Sequence, residues 1–278
     1  MGTSGSYSGS GGKFGDKVRD DLTDWLNSPP PSDSPPPPPP NDQPPNNPHE
    51  DNTPPEPNRP DTRPPKLNPN VLLPIVQLLR PRTAGGGGSD GPGGGGGSGG
   101  NRSGGGPART AAASAGTAGR AASAAYAYRT GDAATLDRLG LDYAELTALG
   151  DPFEITRRIV DAACGRPDST MEDHEQRLVA FDVADWVLTE NPDGQPPEPE
   201  AIVRHTIAVI IAETVLTETG ALISSGNHSG VAVQEIRDAA EALAAREQFP
   251  PNGLSDADFA SSIERGIEAL RTIVEGTS

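Results

Sequence analysis

The sequence predicts an all-α protein: a helical bundle at the C-terminal side, preceded by a long disordered arm rich in Gly, Ser and Pro. Three observations predict it. Apolar side chains concentrate after residue 106 and recur there at helical spacing. No stretch alternates apolar and polar residues as a half-buried strand would. The first 106 residues, in contrast, are blocked out in proline and glycine, with 21 prolines in positions 29–81 and 15 glycines in positions 85–106. Such a segment has too little apolar material to offset the entropy of ordering it.

The expected organisation has four parts. Residues 1–28 form a flexible tail with a short amphipathic segment, 29–84 a Pro-rich disordered spacer, 85–106 a Gly-rich linker, and 107–278 the helical domain. Within the tail, Val18, Leu22, Trp25 and Leu26 fall on one helical face. A helix this short is marginal alone in water, so it must pack on its own domain or dock in a partner's groove. Proline fixes φ and removes the amide donor, which makes polyproline II the default for the spacer. In that conformation residues 29–81 would reach up to ~160 Å at about 3.1 Å per residue. Inside it lies an apolar island, Val71 to Leu79, that a solvated linker would avoid. Leu22, Trp25, Leu26, Leu72, Leu73 and Leu78 are the candidate partner-binding side chains, with docking on the chain's own domain as the other reading.

The helical signals follow in order. Residues 107–128 are alanine-rich, and Gly116 and Gly119 would allow close helix contact. Asp142 opens a short helix that Gly150 ends. Asp151-Pro152-Phe153-Glu154 supplies an N-cap, a proline in the first turn and a capping-box glutamate, opening a helix that stops at Gly165. Ser169 with Glu172 caps the next. A helix from Glu200 to about Ile223 is apolar nearly all round between Ile207 and Ala212, the mark of a central position in a bundle. Residues 231–247 and Asp256 to Glu275 complete the set.

Charge narrows the partners. The chain carries a net charge of −17, and residues 107–278 hold 13 Arg and no Lys against 28 Asp and Glu. So acidic a domain repels phosphate, which argues against direct nucleic-acid binding and for basic partners. The apolar run Ile207 to Ala212 is far short of the roughly 20 residues of a membrane span. No basic segment followed by an apolar one opens the chain, so a cytoplasmic protein is expected.

No catalytic, cofactor or metal site is expected. Cys164 is the single cysteine, which excludes an internal disulfide, and it reads as a small buried residue at a helix end. His174 lies in Glu172-Asp173-His174-Glu175 on a solvated helix face, and the His-x-x-x-His spacing of zinc sites is absent. His205 lies between Ile202 and Val209 and reads as a satisfied core histidine, and His228 sits in a Gly/Ser loop.

Three segments carry a family resemblance. The opening Met1-Gly2-Thr3-Ser4, followed by Gly and Ser, is one; Gly106-Pro107-Ala108-Arg109-Thr110-Ala111 is another. The third runs Ile159-Val160-Asp161-Ala162-Ala163-Cys164, then a Gly/Pro turn, then Ser169-Thr170-Met171-Glu172-Asp173. Together they resemble the QatB component of bacterial Qat anti-phage systems, which likewise has a Pro-rich linker and a helical C-terminal domain. Two stretches depart from that pattern: Asp24-Trp25-Leu26 stands in place of an apolar Pro-Pro-Trp element, and the Gly-rich tether in place of a basic helical stretch.

The resemblance implies a non-enzymatic protein working beside an ATPase, a TatD-like nuclease and a QueC-like enzyme that attaches a deazaguanine group to Gly2. The residues permit such a step. Removal of Met1 before a small side chain exposes an α-amine with a pKa near 7.7–8.0, against about 10.4 for lysine. A useful fraction of it is therefore neutral and nucleophilic at cytosolic pH. Thr3 and Ser4 would guide the tail, with Met1 recognised beforehand. The competing expectations are a Pro-rich scaffold that recruits peptide-binding partners, and an enzyme hidden in the helical domain.

Overall fold

A computed structural model describes residues 12–28, 66–79, 107–165, 171–191, 194–225, 229–246 and 259–276. All regular structure among these residues is helical. The arm contributes α1 (Gly12–Leu26), a 3₁₀ turn (Pro69–Leu72) and α2 (Leu73–Leu78). The bundle is built from α3 (Pro107–Thr130), α4 (Ala133–Arg138), α5 (Tyr143–Leu149), α6 (Pro152–Cys164), α7 (Met171–Thr189), α8 (Pro199–Ser225), α9 (Ser229–Ala244) and α10 (Phe259–Gly276).

Caps set the boundaries where the sequence placed them. The Asp142 carboxylate accepts from the Glu145 amide at 2.8 Å, and Gly150 ends α5 in the left-handed region at φ 63°. The Asp151 carboxylate accepts from the Phe153 amide at 3.1 Å, and α6 runs to Gly165. The expected capping-box role of Glu154 is replaced by an ion pair with Arg157 at 2.8 Å, one turn along the same face. The cap expected at Ser169 lies outside the described residues. Helix α4, not anticipated from periodicity, is nucleated by Asp132, whose side chain accepts from the Thr135 amide.

The two longest helices hold the core. In α8, Ile202, Ile207, Ile210, Ile211 and Val215 are buried, and the helix packs on α1, α2, α3, α7, α9 and α10. It is long and apolar enough to cross a membrane by composition, and its central position in the bundle accounts for that composition. Helix α3 brings a face of small residues, including Ala115, Ala118, Ala121, Ala122 and Ala125, against α7 and α10. Gly119 is where α10 comes closest. A Cβ there would stand 2.7 Å from the Ala260 N and Cα atoms.

The inter-helix corners are fixed by arginines that donate to orphan carbonyls at helix ends. Arg129 donates to Leu188, Asn191 and Gly194 carbonyls at 2.9, 2.8 and 3.0 Å, closing the end of α7. Arg120 donates twice to the Ala163 carbonyl, at 2.9 and 2.7 Å, closing the end of α6.

The arm corrects the expected domain plan. Residues 66–79, placed in a disordered spacer, instead form a helical turn whose Leu67, Leu72, Ile75, Val76 and Leu79 are buried. They pack on α8, α9, α10 and α1, and α1 packs in turn on α8. The physical reason is the apolar load: seven aliphatic side chains in nine positions gain more from burial than they lose in ordering.

Candidate functional site

Among the candidate partner-binding side chains, Leu22 and Leu72 are fully buried, and Trp25 and Leu26 are buried. Leu73 and Leu78 are partly buried against the same core. All six face the chain's own helices in this structure, so their surface is spent on the intramolecular core and a partner would meet it only after displacing them. A polar clamp reinforces this seating. The Arg19 guanidinium donates to the Glu218 carbonyl of α8 at 3.2 Å and pairs with the Glu218 carboxylate at 3.5 Å. Burial pushes that carboxyl up from its ordinary range, with Arg19 opposing the shift. The Leu67 amide donates to the Glu235 carboxylate of α9 at 3.1 Å, and Arg246 donates to Asn70 at 2.9 Å. Met1, Gly2, Thr3 and Ser4 lie outside the described residues.

A second locus emerges between α7, α8 and α9. A cavity of about 50 Å³ opens there, large enough for small polar groups or a few waters. Its floor is Ala208, Val209 and Ala212 on α8. Its walls are Asp182 on α7, His205 and Glu213 on α8, and Arg237 and Glu241 on α9. The spacing explains the grouping: 205, 209 and 213 are four apart on one face of α8, and 237 and 241 are four apart on α9.

The cation in this group is shared. Arg237 stands 3.6 Å from the Asp182 carboxylate and 3.4 Å from Glu213, with its own side chain 44% exposed. The imidazole of His205 is stacked on Trp186, with ring centroids 4.2 Å apart and planes 16° from parallel. Its Nε2 is shielded from solvent and has no hydrogen-bond partner. Burial lowers the His205 pKa to about 4, with Arg237 adding to the effect and Asp182 opposing it. The ring is therefore neutral at pH 7, and three carboxylates face one guanidinium. Burial also raises the Glu213 and Glu241 carboxyls above their ordinary range, with Asp238 contributing at Glu241. The expectation of a satisfied core histidine is thus corrected: the ring is stacked, but one nitrogen is left unpaired.

The other candidates separate. His174 is exposed on α7, and His228 lies outside the described residues. Cys164 is half-buried, and burial pushes its thiol up, away from the thiolate that nucleophilic chemistry needs. Among the described residues, no three His, Cys, Asp or Glu side chains converge as metal ligands. Glu213, Arg237 and Glu241 were not anticipated from sequence. The available signal was Glu213 itself, a charge directly following the all-apolar run Ile207 to Ala212.

No family model, no curated protein and no solved structure matches this chain.

Proposed function

We propose that the chain is a non-enzymatic component of a QatB-like anti-phage system: a helical body that presents its own N-terminal tail for modification at Gly2 by a QueC-like partner. The observation that carries the reading is the seating of α1. Val18, Leu22, Trp25 and Leu26 are buried, and Arg19 is held by Glu218. The helix that follows the tail in sequence is therefore anchored on the body. Ten positions separate Gly2 from Gly12, a reach of up to ~35 Å at about 3.5 Å per residue. That suffices to thread a deep active site while α1 stays docked. The Met1-Gly2-Thr3-Ser4 opening and the 106–111 and 159–173 segments supply the family resemblance.

In the reaction, the neutral Gly2 α-amine attacks an activated carboxyl carbon on the deazaguanine. A C–N bond forms, the activating group leaves with its bonding electron pair, and the amine gives a proton to a base. The ATPase and the TatD-like nuclease would act alongside as further partners. Intact mass spectrometry of the protein co-expressed with its QueC-like partner is the test. The wild type is expected to lose Met1 and gain the mass of one acyl group. Gly2→Glu is expected to retain Met1 and gain nothing. An unmodified wild-type N-terminus would refute the reading and leave the scaffold alternative, in which residues 2–11 are dispensable.

A further inference from the structure

The cavity between α7, α8 and α9 does not stand alone on the surface. On α7, Phe181 and Asp182 are neighbours and so lie about 100° apart around the helix. Phe181 turns toward α6, where its ring meets Phe153 with centroids 5.6 Å apart. Asp182 turns the other way, to Arg237 at the cavity wall. Leu178, three residues before Phe181 and four before Asp182, lies between these two directions. Phe153 is 56% exposed and Leu178 47% exposed, so large apolar side chains stand in water along this flank of α7, Leu178 one turn from the cavity wall at Asp182 and Phe153 beyond it against Phe181.

We propose that the cavity and this shelf form one docking site for a basic segment of a partner protein, which places an arginine or lysine head in the cavity and a large apolar side chain on Phe153 and Leu178. Three features select that occupant. The walls present three carboxylates against one guanidinium, and that guanidinium is already divided between Asp182 and Glu213. The charge left over attracts a cation and repels phosphates and carboxylates. The aliphatic floor of Ala208, Val209 and Ala212 lets the methylene stem of such a side chain lie along it while the charged head reaches the carboxylates of the walls. A second copy of this chain is disfavoured, because at −17 it brings the wrong sign. The raised Glu213 and Glu241 carboxyls agree, since a cation seated between them relieves the cost of holding them ionised. This site is independent of the N-terminal tail and holds whether or not Gly2 is modified.

The test uses the full-length, isotope-labelled chain and four capped dipeptides at millimolar concentration, followed by amide chemical shifts. Acetyl-Leu-Arg-amide and acetyl-Leu-Lys-amide should shift Leu178, Asp182, Glu213 and Glu241 together. The neutral arginine isostere, acetyl-Leu-citrulline-amide, should bind about tenfold more weakly, the scale of a hydrogen bond to a charged group. Acetyl-Gly-Arg-amide should lose several-fold for want of the apolar contact. Glu241→Gln, on the exposed side of α9, should weaken both cationic peptides without changing the fold. Equal binding of the citrulline peptide, shifts scattered over the acidic surface, no shifts at all, or self-association that buries Leu178 would each overturn the proposal.

Discussion

Lowering the pH from 7 to 5 should destabilise the protein through His205 alone by about 2 kcal/mol, and the sign follows from the burial of the ring. In the folded state the imidazole titrates at about 4, against 6.5 for the free side chain. Between those values the unfolded chain binds a proton that the folded chain does not, so stability falls as pH falls. The stabilising contribution is complete above about pH 7, is lost through the 6.5-to-4 window, and would total about 3 kcal/mol below it. Carboxylates raised by burial, Glu213 and Glu241 among them, act in the opposite direction, because protonation relieves them as pH falls. The His205 share must therefore be read as a difference between two proteins. His205→Phe keeps a flat ring against Trp186 and removes a nitrogen that has no partner, so at pH 7 it should cost no more than about 1 kcal/mol. Urea unfolding followed by helical circular dichroism at pH 7 and pH 5 gives the four free energies. The wild type should lose about 2 kcal/mol more than His205→Phe over that interval. Equal losses, or a His205 ring that titrates near 6.5 by NMR, would refute the reasoning.

The remaining predictions concern the core. Gly119→Ala places a methyl 2.7 Å from Ala260 backbone atoms, and the overpacking cost of about 1–3 kcal/mol should exceed the gain of about 1 kcal/mol in helix propensity. Gly116→Ala on the same helix meets only the tip of Arg120, at 4.0 Å, and should raise stability by about 0.5–1 kcal/mol. Thermal melts of the pair shifting the same way would contradict the close approach of α3 and α10. Leu72→Ala should cost about 2–5 kcal/mol in global unfolding, as for any fully buried leucine. A variant as stable as the wild type would mean that the 66–79 turn is not part of the cooperative core.

Much of this fold was legible in sequence, and for local reasons. Asp142 and Gly150 bracket α5, Asp151 and Gly165 bracket α6, and the apolar belt of α8 announces a central helix, because caps, left-handed turns and 3.6-residue periodicity act within one or two turns of chain. The all-α class follows from the same signals. The sequence also marked the segments around Trp25 and Leu72 as apolar faces in need of a cover. It could not say what covers them, since an amphipathic face is satisfied equally by its own domain or by a partner. Only the assembled structure decides that α1 lies on α8 and α2 on α8 and α10, with Arg19 reaching across to Glu218. The cavity was hidden for a related reason. Asp182, His205, Glu213, Arg237 and Glu241 are ordinary residues on three separate helices, and their joint charge exists only where those helices cross. The unpaired nitrogen of His205 is a property of its neighbours rather than of its own position in the chain. Sequence fixes which face of each helix seeks cover; tertiary packing alone decides which polar groups are left facing one another once that cover is found.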